Sequence, residues 1–169
     1  MFWLFFVICF ICFGMRTIYN YWIFRKQRSV GGKRGATVMN INMAVLWAAW
    51  FSMNFWDPVR TVLPVWLRYV GLLLFVVGVL FFVLGDFAMR GLANKEKIVK
   101  SGIFSRIRHP VYLGFCIWVV GFPIFIQSML TLASAVLWVG FFMCWKRWEE
   151  QDLERKFPEY HDYKKKTWF

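Results

Sequence analysis

Acidic residues are scarce in this chain. Its 169 residues include 9 Asp and Glu against 21 Lys and Arg, which gives a formal net charge of +12. Basic chains often bind nucleic acid, but here long stretches carry no charge of either sign and 60% of all residues are apolar. Soluble domains are nearer to half apolar. The composition excludes an ordinary soluble domain, and it favours the lipid bilayer with its anionic headgroups over nucleic acid as the partner.

Metal-ligating residues are also few. The four cysteines lie within apolar runs, and the two histidines, His109 and His161, are far apart in the sequence. Cys9 and Cys12 form a Cys-x-x-Cys pair, but no second pair and no nearby histidine completes a zinc set or a haem attachment motif. We expect reduced thiols buried in lipid and no metal.

Long apolar runs define the fold class, because a helix needs about 20 apolar residues to cross a bilayer. Three segments have this length: 2–24, interrupted only by Arg16; 36–56, which has no charge; and 63–85, with Arg68 near its start. The stretch 111–145 has 35 residues without a charge, which is too long for one span and short for two. Pro123 and the Gln127-Ser128 pair mark the predicted break of a helical hairpin. The sequence predicts an all-α transmembrane bundle of about five spans, or four if the hairpin is re-entrant, with a cytoplasmic C-terminal amphipathic helix.

The distribution of basic residues predicts the orientation. Of the 21, 18 fall in three segments: 25–35, 86–110 and 146–169. Lys and Arg accumulate in the cytoplasmic loops of membrane proteins. We therefore expect the N-terminus outside and the C-terminus in the cytoplasm.

Small residues recur along the third segment. Gly71, Gly78 and Gly85 are seven residues apart, a spacing that puts them near one helix face. Such a stripe lets a neighbouring helix come close, so a packing groove is favoured over a ligand channel. The stripe fits packing within one chain or between chains, which leaves the oligomeric state open.

Polar residues that could carry chemistry gather at the two ends of the hairpin. One cluster spans 100–114 and the other spans 145–163. Because a hairpin folds back, both ends emerge on the same face of the membrane and can meet. We therefore divide the chain into N-terminal transmembrane helices, 1–85, and a part that carries both polar clusters, 86–169.

The first cluster offers a guanidinium, an imidazole and a phenol within five residues, on Arg108, His109 and Tyr112. Pro110 suits the first turn of the following helix, so Arg108 and His109 are predicted to lie at a helix N-terminus. The free N–H groups and the dipole there favour a carboxylate or phosphate. A basic anchor for lipid headgroups is the alternative.

The second cluster holds adjacent acids, Glu149 and Glu150, directly after the last span. Six of the nine acids lie between residues 149 and 162, against the basic trend of the cytoplasmic segments. Carboxylates here could accept hydrogen bonds from hydroxyl groups or pair with a cationic ligand. The alternative is a solvated amphipathic helix with salt bridges to Arg155 and Lys156.

Two motifs in order across the hairpin are recognisable. They are Arg108-His109-Pro110-Val-Tyr112-Leu-Gly114 and Glu149-Glu150-x-x-Leu153-x-x-x-Phe157-x-x-Tyr160-x-x-Tyr163. Together they resemble the isoprenylcysteine carboxyl methyltransferase family, which belongs with the phospholipid methyltransferases. The resemblance covers about residues 84–167. One departure is Gly102-Ile103-Phe104, where the family usually has Gly-Pro-Tyr, so a phenol is lost.

The resemblance implies a methyltransferase that uses S-adenosylmethionine, releases S-adenosylhomocysteine and methylates a hydrophobic or lipidated acceptor at the cytoplasmic membrane face. The acceptor group is a carboxylate, an amine or a thiol. The implied catalytic residues are Arg108 and Glu150. The implied cofactor-binding residues are Lys100, Gly102, Ile103, Phe104, Arg108, His109, Tyr112, Glu149 and Glu150. The candidate acceptor-binding residues are Arg106, Tyr160, Tyr163 and Lys165.

Two other functions compete with this interpretation. Sterol-reductase-like membrane proteins have a similar C-terminal hairpin and use a dinucleotide, but they carry Asn before the tyrosine and an acid after the glycine. Val111 and Phe115 occupy those positions here, which argues against a reductase. A non-catalytic helical scaffold or channel subunit, with basic loops that bind lipid, is the third possibility.

Overall fold

The computed structural model describes residues 1–26, 31–90 and 98–169, which form helices and no β-strand, as predicted. The helices are α1 Phe2–Asn20, α2 Gly32–Phe55, α3 Val65–Arg90, α4 Pro110–Ile126, α5 Met129–Lys156 and α6 Tyr160–Lys166. A π-helical turn, Tyr21–Arg25, follows α1, and a 3₁₀ turn, Gly102–Ser105, precedes α4. Arg28, Lys95 and Lys97 of the predicted basic loops lie outside the described residues.

Within the described ranges, four helices are long and apolar enough to cross a membrane: α1 with its π-helical turn, α2, α3 and α5. The remaining apolar helix, α4, has 17 residues, about 26 Å of rise at 1.5 Å per residue. This is a little short of the roughly 30 Å hydrocarbon core. The structure thus has the four to five apolar helices that the long apolar runs predicted, and the protein is an integral membrane protein.

The hairpin breaks at one of the two predicted places. Gln127 adopts a left-handed conformation with φ of 65°, and the Ser128 N–H donates to the Pro123 carbonyl oxygen at 2.8 Å. This bonding ends α4 in the manner of a Schellman motif. The prediction of a break at Pro123 is wrong, since Pro123 lies inside α4.

Glycines bring α3 and α4 into backbone contact. A Cβ on Gly78 would lie 2.8 Å from the Gly114 carbonyl oxygen, and one on Gly71 would lie 2.8 Å from the Gly121 oxygen. At the other end of α3, a Cβ on Gly85 would lie 2.8 Å from the Val111 side chain. The packing groove that the seven-residue spacing predicted is confirmed, and α4 is the helix that fills it.

Aromatic side chains hold α5 against α1. Phe13 stacks on Trp138, with ring centroids 4.7 Å apart, and its ring also contacts Trp145 at 5.5 Å. The Trp145 indole N–H donates to the Thr17 hydroxyl at 2.9 Å. These contacts fix the face of α5 just before its charged end, so they orient the polar residues that follow.

The C-terminal part differs from the single amphipathic helix that was predicted. Because no helix-breaking residue follows Trp145, α5 continues without interruption from the apolar segment to Lys156. A turn at Phe157 and Pro158 then starts α6, which has seven residues. The long α5 is a rigid connection between the apolar segment and the second polar cluster.

At the other end of α5, a buried carboxylate caps the helix. Asp57 Oδ2 accepts hydrogen bonds from the Ser128 hydroxyl at 2.6 Å and from the Thr131 N–H at 2.8 Å. Three residues further on, Arg60 donates to the carbonyl oxygens of Asn54 and Ile126, both at 2.8 Å. Burial alone raises the pKa of the Asp57 carboxyl, but the hydrogen bonds from Ser128, Thr131 and the Val59 N–H outweigh it and lower the pKa.

Replacing Asp57 with Asn is expected to lower the free energy of unfolding by about 2 kcal/mol, because a charge-assisted helix cap is lost. A group with a lowered folded-state pKa stabilises fully above its unfolded pKa, about 3.9, and stops stabilising as the pH falls through the folded-state value. The difference in melting temperature between wild type and Asp57→Asn should therefore be constant between pH 5 and 8 and shrink below about pH 4. Asp162→Asn, which removes an exposed carboxylate, is the control. Equal melting temperatures of wild type and Asp57→Asn at pH 7 would contradict the prediction.

Candidate active site

The two polar clusters meet at the end of the hairpin, on Glu150. Arg108 Nε donates to Glu150 Oε1 at 3.2 Å. His109 Nε2 lies 3.3 Å from the same oxygen. All three side chains are largely buried, at 5 to 12% exposure. The predicted juxtaposition of Arg108 and His109 with the acid pair is present.

A lysine from α6 completes the surroundings of Glu150. Lys164 Nζ lies 3.3 Å from Glu150 Oε2 and 2.8 Å from Glu154 Oε1. The hydrogen bond to Glu154 raises the pKa of Lys164, while partial burial opposes this and Glu150 adds to it. Lys146 lies within electrostatic range of Glu150, Arg108 and Lys164. Cationic groups therefore outnumber carboxylates around Glu150.

The remaining donors of Arg108 hold the C-terminal residues. Its Nη1 donates to the Lys164 carbonyl oxygen at 3.1 Å, to the Thr167 carbonyl oxygen and to the Thr167 hydroxyl at 3.3 Å. The backbone adds two bonds, from Trp168 N–H to Arg106 O at 3.0 Å and from Arg108 N–H to Trp168 O at 3.2 Å. Arg108 thus positions α6 and the residues after it against the loop before α4.

The two tyrosines of α6 are buried in different ways. The Tyr163 hydroxyl donates to the Phe104 carbonyl oxygen at 2.5 Å. The Tyr160 hydroxyl is buried with no hydrogen-bond partner in the described part of the chain. Burial raises the pKa of both phenols, and the Glu150 carboxylate raises that of Tyr160 further. Tyr163 therefore acts as a brace between α6 and the 3₁₀ turn, whereas Tyr160 keeps a free hydroxyl near Glu150.

Glu149 faces a different neighbourhood from Glu150. Its carboxylate interacts electrostatically with the Tyr112 hydroxyl, and so does the Arg16 guanidinium from α1. The Tyr112 ring lies 5.7 Å from that of His109, centroid to centroid. Adjacent helix positions differ in direction by about 100°. Glu149 therefore faces Tyr112, whereas Glu150 faces Arg108.

Other predicted site residues lie at or beyond the edge of this group. Phe104 is buried and Ile103 is half-buried, while Lys100 and Gly102 are exposed, and Gly102 has a φ of 60°. The exposed Arg106 side chain does not join Arg108 and Glu150. Lys165 is also exposed and lies 3.6 Å from Asp162. The structure therefore brings Arg108, His109, Tyr112, Glu149, Glu150, Tyr160 and Tyr163 together, but not Arg106, Lys100 or Lys165.

A cleft of about 440 Å³ opens beside Glu150. It is lined by Met143, Lys146, Arg147, Glu150, Gln151, Glu154 and Lys164, and we call it the α5–α6 cleft. Its volume lies in the usual range of small-molecule sites, about 300–1,000 Å³. Because it presents both carboxylates and cations, it can hold a ligand that carries charges of both signs.

Sequence reasoning missed three of these residues as individual site members. Lys164 was indistinguishable from its neighbours in the run 164–166, and only the direction of the short α6 selects it. In the sequence, Lys146 indicated only where the apolar run ends, and no role in the site was predicted for it. Thr167 carried no signal in the sequence, because its contact with Arg108 involves mainly its backbone carbonyl.

Comparisons with known proteins identify the family to which the chain belongs. Residues 59–160 match the model of the phospholipid methyltransferase family. A stretch of 73 residues is 42% identical to the protein-S-isoprenylcysteine O-methyltransferase of Saccharomyces cerevisiae, strain ATCC 204508 / S288c. This stretch is 41% of the chain and 30% of the yeast protein, so the similarity covers less than a third of that relative's length. No solved structure gives a significant match. The family match spans more than half of the chain, from the Asp57–Arg60 turn to Tyr160, and the protein is a member of the phospholipid methyltransferase family.

Proposed function

We propose that the protein is an S-adenosylmethionine-dependent methyltransferase that acts on a lipidic or otherwise hydrophobic acceptor at the cytoplasmic membrane face. The observation that carries the proposal is the meeting of Arg108 and His109 with Glu150 at the hairpin end, beside a cleft with charges of both signs. The family membership supports the same reaction. The clustering of 18 of the 21 basic residues in three segments supports the cytoplasmic placement of this end and of the C-terminus.

The residues present fit S-adenosylmethionine. The amino-acid end of this molecule carries one carboxylate and one ammonium, and the α5–α6 cleft offers Lys146, Lys164 and Glu154 next to Glu150. One buried polar atom near Glu150, the Tyr160 hydroxyl oxygen, has no hydrogen-bond partner among the described residues. Buried polar groups without partners are uncommon in native proteins, and a hydroxyl or carboxylate group of a bound ligand would satisfy this one.

When bound, S-adenosylmethionine supplies a methyl group on a sulfonium, ready for in-line displacement. In such a reaction the chain contributes alignment and exclusion of water. Glu150 and Lys164 hold opposite charges at the cleft wall, and Arg108 fixes Glu150 from the other side. A carboxylate acceptor needs no base, whereas an amine or a thiol must lose a proton first. We assign Arg108 to positioning, and Glu150 to direct contact with the cofactor.

Calorimetric titration of the purified chain tests the proposal. S-adenosylmethionine and S-adenosylhomocysteine are each expected to bind at one site, and NADPH is expected not to bind. In membranes supplied with a donor carrying an isotopically labelled methyl group, mass spectrometry should find the label in a hydrophobic acceptor only when the chain is present. Absence of binding by both S-adenosyl compounds, or tight binding of NADPH, would refute the proposed function.

A further inference from the structure

A second cleft, of about 430 Å³, adjoins the α5–α6 cleft along the same helix and shares Met143, Arg147 and Gln151 with it. Its lining residues are Arg25, Met143, Cys144, Arg147, Trp148 and Gln151, and we call it the α1–α5 cleft. It carries two guanidinium groups and no carboxylate. The α5–α6 cleft, by contrast, is lined by Glu150 and Glu154. The α1–α5 cleft is therefore suited to a purely anionic group.

The two arginines come from different helices and have donors to spare. Arg25, in the π-helical turn after α1, uses Nη1 to bond Gln151 Oε1 at 2.8 Å, which holds its guanidinium over α5. Arg147 is exposed and makes no hydrogen bond or ion pair within residues 1–26, 31–90 and 98–169. Guanidinium groups match phosphate geometry with two parallel hydrogen bonds, so a phosphate between them would join α1 to α5.

The remaining lining and its surroundings are apolar. Trp148 packs edge-on against Tyr21, with ring centroids 5.7 Å apart, an aromatic pair of the kind enriched at membrane–water interfaces. Val136 precedes Arg147 by three turns on the same helix face and is 77% exposed. Leu137, 48% exposed, precedes Cys144 by two turns and so lies on the same face as that residue. An uncharged strip thus runs from the cationic cleft along the membrane-facing surface of α5.

We propose that the α1–α5 cleft binds an anionic phospholipid, with its phosphate between Arg25 and Arg147 and an acyl chain along Val136 and Leu137. The charge of the cleft, its place where the uncharged run of α5 ends, and the apolar strip beside it match the two parts of such a lipid. The site adjoins the α5–α6 cleft and shares Arg147 with it, but the inference does not depend on the methyltransferase proposal. Its occupant pins the end of α1 to α5 and stabilises the bundle.

Native mass spectrometry of the full chain in detergent tests this site with two lipids of identical acyl chains, phosphatidylglycerol and phosphatidylcholine. The wild type is expected to bind one phosphatidylglycerol at least tenfold more tightly than phosphatidylcholine, and to melt about 5 °C higher in its presence. Arg147→Gln and Arg25→Gln should each reduce the preference to less than threefold. Arg34→Gln, which removes an exposed arginine near the start of α2, should keep it.

Equal binding of the two lipids by the wild type would overturn the proposal, as would an unchanged preference in Arg147→Gln. A loss of the same size in Arg34→Gln would also overturn it, because it would show attraction to overall charge rather than a site. Inorganic phosphate is the last arm of the experiment. If millimolar phosphate raises the melting temperature as much as phosphatidylglycerol does, the cleft binds a free anion and the lipid assignment is wrong.

Discussion

Replacing Glu150 with Gln is expected to weaken binding of S-adenosylmethionine about 30-fold or more. Hydrogen bonds to charged groups contribute about 1.5–3 kcal/mol each, and about 2 kcal/mol corresponds to roughly 30-fold in affinity. Glu150 is the carboxylate that separates Arg108 from Lys164. Without its charge, these two cations repel each other and the cleft wall loses its shape as well as a ligand contact.

Three comparisons separate this effect from a loss of folding. Glu150→Asp keeps the charge and should recover part of the affinity that Glu150→Gln loses. Asp162→Asn removes an exposed acid of α6 that pairs with Lys165, and its affinity should stay within about twofold of wild type. Calorimetry gives the affinities and thermal unfolding gives the stability. A lower melting temperature with unchanged affinity in Glu150→Gln would make Glu150 a structural ion-pair partner and remove it from the site.

The outline of the site could be predicted from the sequence, because its physical cause is local. A 35-residue run without charge must fold back within a bilayer, and the fold-back brings residues 108–109 and 149–150 to one end. The break itself is encoded by polar Gln127, which accepts the left-handed conformation that ends α4. Pro123 gave a false signal because α3 and α5 hold the helix around it together.

The detail of the site could not be predicted, because it depends on directions that only packing defines. Glu149 and Glu150 are alike in the sequence, but the contacts of Phe13 and Trp145 rotate α5 so that Glu150 faces Arg108. Lys164 and Lys165 are alike as well, and the Tyr163 hydrogen bond to Phe104 decides which of them faces the carboxylate. Such choices come from contacts between residues far apart in the chain.

The cap on α5 is another contact that the sequence could not predict. The Asp57-Pro58-Val59-Arg60 sequence after α2 is ordinary for a short turn. In the structure it joins three helix ends, since Asp57 caps α5 and Arg60 binds the last carbonyls of α2 and α4. Ser128, which binds Asp57, and Ile126, which binds Arg60, are each more than 60 residues away in the sequence. No local sequence pattern therefore predicts these contacts.

Placing a methyl group on Gly121 is expected to disrupt the contact between α3 and α4. A Cβ there would lie 2.5 Å from the Phe75 backbone nitrogen and 2.8 Å from the Gly71 carbonyl oxygen. Both are backbone atoms, so no side-chain rotation relieves the clash and α3 must move away from α4. Overpacking costs typically 1–3 kcal/mol, and the rigid backbone puts Gly121→Ala at about 3 kcal/mol or more. For a chain of this length that is a fall of about 6 °C or more in melting temperature.

Gly140→Ala is the matched control, because it makes the same chemical change in a helix of the same bundle. A Cβ on Gly140 would meet no atom within 4 Å, and alanine is the better helix former, so its melting temperature should equal or exceed that of wild type. The melting temperatures of both variants are measured by thermal unfolding, with size-exclusion chromatography as the readout of folded protein. If Gly121→Ala has the same melting temperature as the wild type, the contact between α3 and α4 is looser than in the structure. Since α4 begins at Pro110, next to His109, separation of α3 from α4 should also weaken S-adenosylmethionine binding, although Gly121 lies more than two helical turns from the site.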